Sequence, residues 1–176
     1  DYIHHQTMNF LELKLILISL PVNSDVANYI LKFCSSSLHN DYHSYVVVNY
    51  HPLLKLSTIK NNSNFEFSDK SFRQLIVNTG IVISNISSTC VESLALGVPV
   101  IILHGGSTIN QNPIPNTIDK SIWDECDNDT DFKTAFTRLY IEKNIEEQSN
   151  TAKLIRKEFF EPVSKKSVNH FLGLNN

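Results

Sequence analysis

The feature that most limits what this chain can become is an alternation, kept through about residue 103, between short apolar β-branched runs and segments of helical spacing. Parallel strands cannot be joined by a tight turn, and a helix is their usual crossover. The alternation therefore predicts βαβ units, an α/β class, and a parallel sheet flanked by helices. Lys14 to Ser19 reads as a first buried strand, stopped by Pro21 and followed by Asn23, Ser24 and Asp25, which suit a helix N-terminus. Val26, Ala27, Ile30, Leu31 and Cys34 then fall on one helical face. Ser44 to Tyr50 reads as the second strand and ends at His51-Pro52, because proline cannot donate to the ladder.

Asn64 to Phe67 is a weak third strand, and Ser68 or Asp69 is the expected cap of a helix carrying Phe72, Leu75 and Ile76. Gly80 precedes a fourth strand, Ile81 to Ser84. The next helix is expected from Ser88 to a stop at Gly97, a residue suited to a left-handed C-terminal position. Val98 to Leu103 is the fifth strand, closed by His104-Gly105-Gly106 and followed by an Asn- and Pro-rich loop to about Asp119. Trp123 is expected to anchor two further helices, one marked by Phe132, Ala135, Phe136, Leu139 and Tyr140, the other by Ala152, Ile155 and Phe159. A short terminal helix is expected around Ser167 to Leu172. Residues 1–12 read as a leading segment and 13–176 as one domain, since 176 residues suffice for one core.

Composition closes off several classes of function. The net charge of −3 is too mild to imply a polyanion, and no basic stripe with interleaved aromatics suggests nucleic acid. Three widely spaced cysteines, Cys34, Cys90 and Cys126, offer neither a disulfide framework nor a C-x-x-C pair, which points to a reducing compartment. The longest apolar run, Leu13 to Val22, is broken by Lys14, Ser19 and Pro21, so no membrane-spanning segment is expected. The start, Asp1-Tyr2-Ile3-His4-His5, has neither an initiator Met nor a basic-then-apolar leader, as expected of a piece of a longer chain without a signal peptide. Phosphate-loop, zinc-protease, nucleophile-elbow and dinucleotide glycine motifs are all missing, and the histidines do not share metal-ligand spacing with the cysteines. No metal or resident cofactor is expected.

The richest segment runs from Ile81 to Ile102: a strand, a turn of small polar residues, a helix, a glycine stop and another strand. In a parallel sheet that turn lies at the carboxyl ends of the strands, where open α/β folds hold ligands. Ser87, Ser88 and Thr89 would set hydroxyls beside the free amides of a helix N-terminus, a natural phosphate seat; the plainer alternative is that Ser88 merely caps the helix. Glu92, one turn further in, is either a ribose-binding carboxylate or a solvated first-turn acid. His51-Pro52 reaches the same rim, as a donor to phosphate or as an ordinary strand-ending turn. His104-Gly105 adds a weaker candidate, with backbone amides close to a diphosphate or sugar.

Together, Tyr50-His51-Pro52, the Ile83 to Thr89 turn, Glu92 and Leu96-Gly97-Val98-Pro99-Val100 resemble the C-terminal, donor-binding half of GT-B-fold glycosyltransferases, over about residues 13–172. A His-Pro pair with a Ser-Ser or Ser-Thr turn is similar to that of bacterial sialyltransferases, polysialyltransferases and capsule or surface-polysaccharide enzymes. CDP-glycerol-dependent teichoic acid polymerases carry a similar pair. The resemblance implies a Rossmann-like domain and a nucleotide-sugar donor as substrate, with a cytidine nucleotide, CMP or CDP. It gives His51, Ser87 and Ser88 contact with the donor phosphate, His51 as the catalytic residue, and Glu92 the ribose, with Pro52, Thr89, His104 and Gly105 beside them. Phe65 to Asp69 is the segment expected to meet the base. The resemblance further implies that a missing N-terminal half binds the carbohydrate acceptor and supplies the general base. The isolated chain would then be inactive, and the whole enzyme cytoplasmic or at the inner face of the membrane. Two alternatives stay open from the residues alone: a UDP-sugar 2-epimerase-like domain, and a non-catalytic α/β binding module.

Overall fold

The computed structural model describes residues 14–60, 65–85, 87–104, 112–160, 164 and 169. Six strands form one sheet: β1 (Leu15–Leu20), β2 (Val46–Tyr50), β3 (Glu66–Phe67), β4 (Thr79–Ser84), β5 (Val100–Leu103) and β6 (Trp123–Cys126). Their order is β3-β2-β1-β4-β5-β6, and every pairing is parallel. The helices are α1 (Ser24–Ser37), α2 (Phe72–Ile76), α3 (Ser88–Ala95), α4 (Asp129–Phe136), which runs on into a π-helical turn at Thr137–Ile141, and α5 (Ile145–Phe159).

The expected parallel α/β architecture is therefore present, and the strand alternation shows how it is held. Ile16, Ile18, Val46, Val48, Ile81, Ile83, Ile101 and Leu103 enter one buried cluster with α1 and α4. Leu17, Val47, Val82, Val100 and Ile102 enter the other, with α2, α3 and α5. Successive residues point to opposite faces and both faces are covered, so the central stretches of β1, β2, β4 and β5 are apolar on both sides. Full burial of each such side chain contributes about 1.5–3 kcal/mol, the largest favourable contribution available to a chain this size.

Helix ends follow local chemistry. Asn23 caps α1 by accepting from the amides of Asp25 and Val26. α2 is capped by Ser71 rather than by Ser68 or Asp69, because Gln74 stands three residues on and completes a reciprocal capping box. Gly97 takes φ +80° just beyond α3, the left-handed position expected of it. Gly80 lies inside β4 rather than before it, and the reason is proximity: a Cβ there would stand 2.7 Å from Cε2 of Tyr140. The buried Tyr140 hydroxyl in turn donates to the Lys14 carbonyl beside the start of β1.

Three expectations shift. Ser44 and Tyr45 belong to a 3-10 turn, Asn40–Tyr45, instead of β2, since His39 caps that turn through Asp41 N. Val98 and Pro99 precede β5 rather than open it. Phe159 is exposed at the end of α5, whereas Ala152 and Ile155 are buried as the spacing required. The expected terminal helix lies almost wholly outside the described residues, as does Asn64.

The sixth strand is the addition that periodicity missed. Trp123 and Cys126 are buried, but two adjacent carboxylates, Asp124 and Glu125, separate them. Arg138 Nη2 donates to Asp124 Oδ2 at 2.7 Å, Lys120 Nζ lies 3.6 Å from Asp124 and 3.5 Å from Glu125, and His104 Nε2 lies 2.7 Å from Glu125. Arg138 and His104 come from elements 14 and 21 residues away, so no short window shows that the acids can be half-buried.

Replacing Gly80 with Ala should cost about 1–3 kcal/mol through overpacking against Tyr140, read as a lower urea midpoint at unchanged slope. The three cysteines are free and buried, with burial pushing the Cys90 and Cys126 thiols up to about 12 and raising Cys34 as well. A thiolate-selective reagent at pH 8 should label none of them in the native protein and all three in denaturant.

Candidate functional site

A sheet ordered 3-2-1-4-5-6 reverses its winding between β1 and β4, and the loops leaving those strands part to form a crevice at their carboxyl ends. A cavity of about 650 Å³ lies there. Its walls are Ser19 to Val22 at the end of β1, Asn49 to Pro52 at the end of β2, Ser68 to Phe72 from β3 into the start of α2, and Ser87 and Thr89 at the start of α3. Four segments far apart in sequence thus meet because parallel strands deliver their carboxyl ends to one edge.

The wall made by α3 is built from hydroxyls. Ser87, not Ser88, is the N-cap: its Oγ accepts from Thr89 N at 3.3 Å and lies 2.8 Å from Thr89 Oγ1. Thr89 Oγ1 stands 3.5 Å from Ser19 Oγ on the neighbouring strand, and Ser84 Oγ donates to the Ser19 carbonyl at 2.8 Å. Ser88 is the first helical residue, exposed, and not part of the cavity wall. The positive end of the α3 dipole therefore faces the crevice through Ser87 and Thr89.

His51 holds the opposite lip. Its backbone N–H donates to the Leu20 carbonyl at 3.1 Å, tying the end of β2 to the end of β1, and Leu54 N donates back to its carbonyl at 2.8 Å. The ring Nδ1 accepts from Leu53 N at 3.1 Å. An imidazole accepting at Nδ1 carries its proton on Nε2, so the ring offers the site a donor.

The third wall is the segment between β3 and α2. Asn49 Nδ2 donates to the Lys70 carbonyl at 3.0 Å, and Lys70 N donates to Ser68 Oγ at 3.3 Å, so the loop is fastened to β2. Tyr50 Oη donates to Asp69 Oδ1 at 2.6 Å; the bond to that carboxylate is the main reason the phenol's pKa is raised. Of the segment Phe65 to Asp69, expected to meet the base, Ser68 and Asp69 line the cavity. Asn49, Lys70, Ser71 and Phe72 carried no motif and become site residues only through the pairing of β2 with β3.

The remaining candidates lie apart. Glu92 sits half-buried one turn into α3 and is not part of the cavity wall. His104, at the end of β5, is buried and engaged with Glu125, its Nδ1 without a partner among the described residues. Gly105 lies outside the described residues. Among the described residues no group of acidic, histidine and cysteine side chains could hold a metal ion, and no helix is long and apolar enough to cross a membrane.

No family model matches the sequence, and no curated protein matches it significantly. Solved structures do. The catalytic domain of cholesterol-alpha-glucosyltransferase from Helicobacter pylori matches with a TM-score of 0.50 and 15% identity, over 81% of this chain and 99% of that one. The fold is that of one half of a GT-B glycosyltransferase. The wall teichoic acid polymerase TagF matches with the same TM-score of 0.50 and 14% identity, over 93% of this chain but 44% of that one. The chain spans less than half the length of the polymerase it matches.

The cap geometry separates two neighbouring serines. Ser87→Ala should lower stability by about 1 kcal/mol, the usual cost of losing a cap, while Ser88→Ala should stay within about 0.5 kcal/mol of the parent in denaturant titrations.

Proposed function

We propose that this chain is the donor-binding C-terminal half of a glycosyltransferase of surface-polysaccharide biosynthesis, and that its donor is a sugar carried on a cytidine nucleotide, CMP or CDP. One observation carries the reading: a single cavity at the switch point of the sheet brings the His51 donor and the α3 N-terminus with Ser87 and Thr89 to the same space. Those groups suit a phosphate and leave the adjoining wall at Ser68 to Phe72 for a nucleoside. The cytidine preference and the polysaccharide setting rest on the resemblance of the His-Pro and Ser-Ser-Thr motifs.

In such a reaction the bond from the anomeric carbon to the phosphate oxygen breaks, and negative charge collects on the leaving nucleotide. His51 Nε2–H, the Ser87 and Thr89 hydroxyls and the helix dipole are fixed donors for that charge, in place before the bond breaks and so costing little reorganisation. The acceptor hydroxyl and the base that deprotonates it belong to another half of the enzyme, so this chain alone would bind donor without completing transfer. We assign it to the cytoplasmic side, where activated sugars are supplied.

Thermal-shift titration with CMP, CDP, UDP, GDP and ADP tests the reading on the chain as it stands. A cytidine nucleotide at about 100 times its dissociation constant should add about 2.7 kcal/mol, a rise of several degrees for a domain of this size. His51→Ala and the Ser87→Ala/Ser88→Ala double variant should each weaken binding about tenfold or more, measured against their own unliganded midpoints. No shift with any nucleotide at millimolar concentration, or unchanged affinity in the double variant, would overturn it.

A further inference from the structure

Resting on that donor-site reading, we infer that Asp69 selects the base: its carboxylate accepts from the exocyclic amine of cytosine and turns away uracil. Among the described residues Asp69 is the carboxylate that lines the cavity, with Ser87 and Thr89 on another of its walls. One of its oxygens accepts from the Tyr50 hydroxyl at 2.6 Å, which orients the group, and the residue is exposed. The Tyr50 ring leans on Phe67, with centroids 6.5 Å apart, and the Asn49 bond to the Lys70 carbonyl pins the next residue. The acceptor is held from both sides.

An ionised carboxylate can only accept hydrogen bonds. Cytosine presents an N–H₂ donor on the edge where uracil presents a carbonyl oxygen, and a carboxylate is the side chain that pairs with that amine. Uracil's one edge donor, N3–H, stands between two carbonyl oxygens, so an approaching carboxylate meets their lone pairs. The discrimination comes from a repulsive contact as much as from an attractive one. The His51 ring and the α3 N-terminus stand on other walls of the cavity, so the phosphate has seats away from Asp69.

The test is a matched pair of titrations with CMP and UMP, which differ only at this edge of the base. The parent chain should bind CMP about tenfold or more tightly than UMP, as expected for one hydrogen bond to a charged group. Asp69→Asn, which presents either a donor or an acceptor, should bring the two affinities within about threefold of each other, and Tyr50→Phe should narrow the gap in part. Ser87→Ala should weaken both nucleotides alike and leave their ratio unchanged. Equal binding of CMP and UMP by the parent overturns the inference while sparing the donor site. An Asp69→Asn variant that loses both nucleotides equally places the carboxylate on the ribose and overturns it too. Absence of binding by either nucleotide overturns the donor-site reading itself, and the inference with it.

Discussion

The parallel pairing of β1 with a neighbour on each side is the constraint on which the rest of the molecule depends. In register, Ser19 stands beside Asn49 and Leu20 beside Tyr50, while Ile18 stands beside Ile83 on the other flank. The residues that leave the sheet next are those that line the cavity. A slip of one residue would send every apolar side chain of β1 to the wrong face and would part Ser19 from Thr89. The packing of the two buried layers thus fixes the geometry of the rim, to which Leu20 belongs as both a core and a cavity residue.

That coupling explains why the α3 wall of the site can be made of short, neutral side chains. Serine and threonine hydroxyls at a helix start need no salt bridge to stay in place, because the backbone that carries them is held by the sheet. Ser84 and Ser19 illustrate this: both are buried, and the hydroxyl of the first is satisfied by the carbonyl of the second. Charge appears where the wall is a loop, at Asp69 and Lys70, and there side-chain bonds from Tyr50 and Asn49 take over the work of the ladder.

The strands built from unbroken β-branched runs, β1, β2, β4 and β5, are legible in the amino-acid sequence because each is buried on both faces. So are α1, from its apolar stripe, and α3, from its polar start and the stop at Gly97. His51, Ser87 and Thr89 follow from topology alone, since a strand-ending turn must lie at the rim. Ser88 and Glu92 show the limit: a motif names adjacent residues, but which of two serines caps the helix, and whether a carboxylate one turn on faces the crevice, depends on dihedral angles that sequence spacing does not hold. β6 was illegible for another reason, its acids being stabilised by Lys120, Arg138 and His104, residues from three separate segments. The Lys70 wall was hidden because its place depends on a two-residue strand, Glu66–Phe67.

Those last two strands are also the borders of the sheet, and their make-up bears on how the domain behaves among copies of itself. An exposed strand edge is a template for another chain to pair with. Here one border offers only two paired residues, and the other sets Asp124 and Glu125 side by side where an incoming strand would have to dock. A parallel sheet so finished leaves a poor template for strand addition, and the same carboxylates that obscured β6 in the sequence guard the domain against edge-to-edge aggregation.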